Sequence, residues 1–283
     1  MGTVYEAADE RLDTTVALKE SHFTDEKLRK QFEREAQLLA RLRHPAMTRV
    51  IDHFTEGDGQ FLVMDLIDGE DLSEKQQKNG GGFPVDKVLG WADQLLDVLH
   101  YLHNQEPPII HRDIKPQNLK LLNTGQIILL DFGLAKGFAG QISRVTTSGS
   151  IFGYTPNYAP LEQIQGTGTD PRSDLYSLGA TLYHLVTDHV PPDVLTRLTE
   201  TAEGNRDPLR PAIELNSMVN EKFSAALNRA MAIARNHRFA SAREMRDALA
   251  RRCKSVITSY SHSPVEGRTE FLIHHRIQFN GGA

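Results

Sequence analysis

The chain is short of cysteine, has no excess of positive charge and has no long apolar run, and each shortage excludes something. Cys253 is the sole cysteine among 283 residues, so no intrachain disulfide can form, as suits a reducing compartment. A formal net charge of -5 leaves no electrostatic case for nucleic acid or an anionic membrane surface as partner. No stretch approaches the ~18 consecutive apolar residues of a membrane span, and the start lacks the charged-then-apolar order of a secretory signal. No internal repeat is evident, and the adjacent His274-His275 lacks the spacing of a helical metal pair. These absences predict a soluble, cytoplasmic chain without a membrane span. What is present is ordinary for a globular protein: 39% hydrophobic and 24% charged residues, over a length that suits one large or two modest domains.

The chemistry concentrates in His111-Arg112-Asp113-Ile114-Lys115-Pro116-Gln117-Asn118, followed by Asp131-Phe132-Gly133. Pro116 and the preceding apolar Ile109-Ile110 predict a short strand opening into a loop. Leu119 to Leu122 and Ile127 to Leu130 flank the turn signal Asn123-Thr124-Gly125 and predict a hairpin. That hairpin brings Asn118 and Asp131 to neighbouring strand ends, where two oxygen side chains can hold Mg2+ on a nucleotide's phosphates. Asp113, in the same loop, is placed to take a proton from an attacking hydroxyl. Either triplet alone would be a common loop string, its Asp a cap or a solvated charge. Order and spacing carry the signal. Together they resemble the H-R-D-L-x-x-x-N and D-F-G signature of protein kinases. The chain resembles the eukaryote-like (Hanks-type) serine/threonine protein kinases of bacteria over about residues 1–252.

The resemblance implies roles along the first part of the chain. Met1-Gly2-Thr3-Val4 is similar to the end of a glycine-rich nucleotide loop, with Gly2 as its third glycine and Val4 covering the adenine. In the family a strand and two glycines come earlier. Met1 is then either an internal methionine of a longer chain or the start of a truncated one. Val16-Ala17-Leu18-Lys19 matches the V-A-I-K strand, with Ala17 at the base and Lys19 on the α- and β-phosphates. Leu28, Phe32, Ala36 and Leu39 recur at helical spacing within Lys27 to Leu42, and Glu35 beside that stripe is the implied partner of Lys19. His44-Pro45 is expected to end this helix. Val50 to His53 and Gln60 to Met64 predict two strands around a turn. Met64-Asp65-Leu66-Ile67 resembles the hinge, with Met64 as gatekeeper and the backbones of Asp65 and Ile67 on the adenine edge. Asp71 stands near the implied ribose, or is a helix N-terminal charge.

In the catalytic loop the resemblance implies that Asp113 is the base and that Lys115 neutralises the moving phosphoryl group, as in serine/threonine rather than tyrosine kinases. It implies Asn118 and Asp131 as metal ligands. Phe132 would pack between the lobes and Gly133 would free the backbone there. Lys120 departs from the usual apolar adenine floor, though its aliphatic stem can serve. Leu134 to Tyr158 reads as a loop, where Thr146, Thr147, Ser148 and Ser150 are candidate phosphorylation sites, Thr146 or Thr147 preferred, answered by Arg112. Thr155 would contact Asp113 and Lys115. Pro160-Leu161-Glu162 takes the A-P-E position, keeping only the Glu, which would pair with Arg238. Asp174, opening a buried central helix, is expected to bond the catalytic-loop backbone. Phe223 to Ile233 and Met245 to Leu249 read as amphipathic helices, and Ser241 and Glu244 have capping-box spacing.

The expected architecture is α+β and two-lobed: a small antiparallel β lobe with one helix (residues 1–66) and a larger, mostly helical lobe (residues 67–252). Residues 253–283 read as a tail or linker. The expected activity is transfer of the γ-phosphoryl of ATP, with Mg2+, to serine or threonine hydroxyls of proteins, copies of itself included. Two rivals are a noncatalytic kinase-fold scaffold, suggested by the missing first strand, and a small-molecule phosphotransferase, which Lys115, the DFG triplet and Glu162 argue against.

Overall fold

The computed structural model describes residues 3–10, 12–23, 25–130 and 155–250, which belong to one compact unit, Met1–Ala250. Gly2, Asp131, Phe132, Gly133, Thr146, Thr147, Ser148, Ser150 and the tail from 253 on lie outside the described residues.

The first layer is a sheet of β1 (Thr3–Asp9), β2 (Thr14–His22), β3 (Val50–Glu56) and β4 (Gly59–Asp65), antiparallel throughout in the order β1-β2-β4-β3. The β3–β4 turn is tight because Gly57 takes φ +57, a left-handed backbone open to glycine. Helix α1 (Glu26–Leu39) starts where Asp25 accepts the Lys27 N–H at 2.7 Å, and it buries Phe32, Ala36 and Leu39 on the sheet side. It stops five residues before His44-Pro45. Arg41 and Leu42 close instead into i→i+3 turns on Leu38 and Leu39, which drop Leu42 into the core.

The second part is helical. Helices α2 (Leu72–Asn79) and α3 (Val85–His103) precede a hairpin of β5 (Leu119–Leu121) and β6 (Ile127–Leu129). There follow α4 (Leu161–Ile164), α5 (Pro171–Thr187), α6 (Val194–Ala202), α7 (Ala212–Leu215), α8 (Glu221–Ala230) and α9 (Ala242–Ala250). Val88, Ala92, Leu95, Leu96, Leu99 and Leu102 recur at helical spacing along α3, and all are buried. Helix α5 is buried all round, packed by α3, α7 and α8, which makes it the axis of this part. At α9 Ser241 accepts the Glu244 N–H at 3.1 Å, but the reciprocal carboxylate bond goes to Ala240 N at 2.7 Å, one residue early.

The strand expected at Ile109-Ile110 is not formed. Ile109 N–H donates to Leu102 O at 3.1 Å, and the N–H groups of His111 and Arg112 go to the Asp174 side chain rather than to a neighbouring strand. The two parts meet where Ala46 to Thr48 pairs with β6, through Leu129 N to Ala46 O at 2.9 Å and Thr48 N to Leu129 O at 3.0 Å. Among the described residues no helix is long and apolar enough to cross a membrane.

Candidate active site

The sheet register decides which side chains share a face. Val4 lies opposite Lys19, Ala17 opposite Met64, and Lys19 opposite Leu62. Directly paired residues point to one side, as do residues two apart. Val4, Ala17, Lys19 and Met64 therefore line a single face, with Ala17 and Met64 buried and Val4 about half exposed. A nucleotide laid against that face meets a lysine at one end and an apolar surface at the other.

Lys19 and Glu35 do not form the expected ion pair in this structure; no such pair is found among the described residues, and Lys19 is engaged elsewhere. Glu35 is instead turned along its own helix, accepting from Gln31 Nε2 at 3.3 Å. Burial pushes its carboxyl above the usual range, only partly offset by the Gln31 hydrogen bond and the charge of Arg112.

At the hinge, Asp65 N–H donates to Arg49 O at 3.0 Å, while Ile67 N–H has no partner among the described residues. Lys120 rises from β5 and sets its Nζ 2.6 Å from Ile67 O. Its stem thus runs under the hinge, but its charge ends on a hinge carbonyl, which the sequence did not foretell. Asp71 is the N-cap of α2: its Oδ1 accepts Glu74 N–H at 2.9 Å, and Glu74 Oε2 accepts Asp71 N–H at 3.3 Å. Of the two readings of Asp71, the capping one has its geometry here.

The catalytic-loop residues are held from behind. Asp174, on α5 and fully buried, accepts His111 N–H and Arg112 N–H at 2.9 Å each, and His103 Nε2 lies 2.9 Å from the same carboxylate. Burial alone would raise this carboxyl; the hydrogen bond and charge of His103, with His111 and Arg112, hold it below the ordinary range. His111 is anchored by Leu130 O, 2.9 Å from its Nε2. Asp113 Oδ2 then sits 3.3 Å from Lys115 Nζ, and Lys115 also reaches Thr155 Oγ1 at 3.4 Å. Asn118 Nδ2 donates to Asp113 O at 2.7 Å, which leaves its Oδ1 as the amide atom available to a cation.

The end of the following segment is clamped by charge. Arg238 donates to Glu162 through Nη1 at 2.7 Å and Nη2 at 3.1 Å, and Ser173 Oγ adds a third bond at 2.7 Å. Both side chains are buried; burial raises the Glu162 carboxyl, but the Arg238 and Ser173 bonds bring it below its usual value. Tyr158 Oη lies 2.7 Å from His184 Nδ1, and burial pushes the phenol up to about 12 and the imidazole down. Sequence reasoning missed Gln163. Its Nε2 donates to Arg112 O at 2.9 Å, yet nothing in a lone Gln after Glu162 signals this. Among the described residues no group of three or more His, Cys, Asp or Glu could hold a metal ion.

A family model described as "Protein kinase domain" matches residues 1–258. Serine/threonine-protein kinase PknL of Mycobacterium tuberculosis is 38% identical over 192 residues, covering 67% of this chain and 47% of that protein. A probable serine/threonine-protein kinase of Clostridium acetobutylicum is 34% identical over 216 residues, covering 75% of this chain and 32% of its own length. The chain thus spans half or less of the length of these curated relatives. Among solved structures, the kinase domain of Mycobacterium tuberculosis PknI superposes with a TM-score of 0.68 at 28% identity, over 88% of this chain and 90% of that one.

Proposed function

Because the chain belongs to the protein kinase domain family, we propose that it transfers the γ-phosphoryl group of ATP to serine or threonine hydroxyls of proteins. The observation that carries this reading is the Asp113–Lys115–Asn118 cluster, tied together by a 3.3 Å ion pair and a 2.7 Å hydrogen bond on a loop pinned by Asp174. In the transfer, the acceptor oxygen bonds to the γ-phosphorus as the bond to the bridging oxygen of ADP breaks. Asp113 orients the hydroxyl and takes its proton; Lys115, in reach of both Asp113 and Thr155, meets the charge of the phosphoryl in flight. Lys19 would hold the α- and β-phosphates, and Glu35 would steady it once α1 turns that carboxylate inward. Ile67 N–H and the backbone of Asp65 would take the adenine edge, under Met64 and over the Lys120 stem; Gly2 and Val4 would cover the phosphates and base from above.

The family uses a divalent metal with its nucleotide. The hard oxygen donors here suit Mg2+, which keeps waters and phosphate oxygens around one or two protein ligands. Asn118, with Asp131, would hold it, and when bound it neutralises phosphate charge. Among the described residues Arg112 donates through its Nε alone, to Thr169 Oγ1 at 3.0 Å, and its two terminal nitrogens would take a phosphate on Thr146 or Thr147. A cytoplasmic setting, where ATP is at hand, agrees with the single cysteine. The test is to supply γ-labelled ATP with casein and with a panel of sugars and amino alcohols. Label on serine or threonine of protein is expected. Label on the small acceptors alone would refute the assignment.

A further inference from the structure

Helix α3 carries Gly90 inside its 19 residues, where glycine is among the poorest helix formers. No neighbour demands it, since a Cβ built there would meet no atom within 4 Å. The space it leaves is part of a cavity of about 650 Å3 between α2, α3 and the β5–β6 hairpin. None of the residues assigned above to nucleotide or catalysis lines it. Half-buried Phe83, backed by the largely buried Trp91, forms an aromatic wall, the rings edge to face at 5.0 Å between centres. The rim is cationic: three lysines, Lys75, Lys78 and Lys87, against Glu70 as the one acid among the lining residues. The Glu70 carboxylate sits between the ammonium groups of Lys75, at 3.3 Å, and Lys78. Glu70 thus offsets part of the charge of Lys75 and Lys78, and three ammonium groups against one carboxylate leave the rim net positive. Lys87 is exposed and forms no ion pair among the described residues.

We propose that this cavity docks an acidic peptide segment of a protein substrate, with an apolar side chain on Trp91 and Phe83 and carboxylates on the lysine rim. The volume is that of a ligand site, and the walls supply both parts of the recognition. A small phosphorylated metabolite would engage the lysines but leave the aromatic wall without use. Rim charges of this kind speed encounter and weaken with salt, because they stand in water. The proposal rests on the kinase reading only in calling the partner a substrate.

The test uses the full chain and a fluorescein-labelled ten-residue peptide of glutamate and leucine, read by anisotropy. Trp91 is the sole tryptophan, so its emission reports whether the peptide binds at this place. Saturable binding with a change in Trp91 emission is expected. Lys87→Glu should weaken it at least about tenfold, equivalent to about 1.4 kcal/mol. Gly90→Leu should abolish it while thermal stability is kept or raised, since leucine favours helix. Lys19→Met should bind as the parent does, so a failure of phosphoryl transfer and a failure of docking are told apart. Parent-like binding by either cavity variant would overturn the proposal. So would equal binding of a lysine–leucine peptide, or of a glutamate–serine peptide that has no apolar side chain.

Discussion

Arg112 holds φ +65, a left-handed backbone that a bulky residue keeps only when its surroundings fix it. Asp174 grips the N–H groups of His111 and Arg112, and Gln163 grips the Arg112 carbonyl, so the turn that presents Asp113 is held at both ends. Gln163→Leu would leave that carbonyl without its bond, worth about 1–3 kcal/mol in a buried setting. We expect kcat to fall about tenfold or more with KM for ATP unchanged, since the nucleotide face is untouched; steady-state kinetics on both substrates checks this. Glu162→Gln leaves Arg238 buried without its counter-charge, and equilibrium denaturation should show a loss of ~3–5 kcal/mol. The pH dependence follows from the same pair. The Glu162 carboxyl titrates lower folded than unfolded, so its contribution is complete above the ordinary value of 4.5 and is lost as pH falls through the lower folded value. Asp174 acts in the same direction. Melting temperatures should therefore fall steeply below about pH 4.5 in the parent and less steeply in Glu162→Gln.

At the scale of elements, the α2 cap separates two roles for one residue. Asp71→Ala should cost about 1 kcal/mol of stability, whereas Asp71→Asn should be neutral because asparagine caps as well as aspartate. A rise in KM for ATP in Asp71→Asn, with stability unchanged, would show that the carboxylate also serves the nucleotide. The hairpin at β5–β6 and the stripe of α1 were legible in the sequence because each has a period that only one element satisfies. The end of α1 was not, because Leu42 is drawn into the core rather than halted by Pro45. Nor was the unstructured Ile109-Ile110, whose apolar pair looks like a strand until Asp174 takes the neighbouring N–H groups.

At the scale of the molecule, the site draws on a sheet face, a helix flank, a loop and a clamp that are far apart in the chain. Motif order singled out the residues proposed to take part. It did not announce distances between elements: whether Glu35 reaches Lys19, where the Lys120 ammonium ends, or that Gln163 backs the catalytic turn. Those are set by packing, which no local pattern encodes. The account's central claim is that Asp113, in its clamp of Lys115 and Asn118, is the base of a phosphoryl transfer. The direct measurement is transfer of labelled γ-phosphate by the 283-residue chain beside its Asp113→Asn variant, with ATP binding measured on both. The account expects equal nucleotide affinity and a loss of transfer on the order of 10²–10⁴-fold in the variant. Equal transfer by the two chains, or none from the parent, would contradict it.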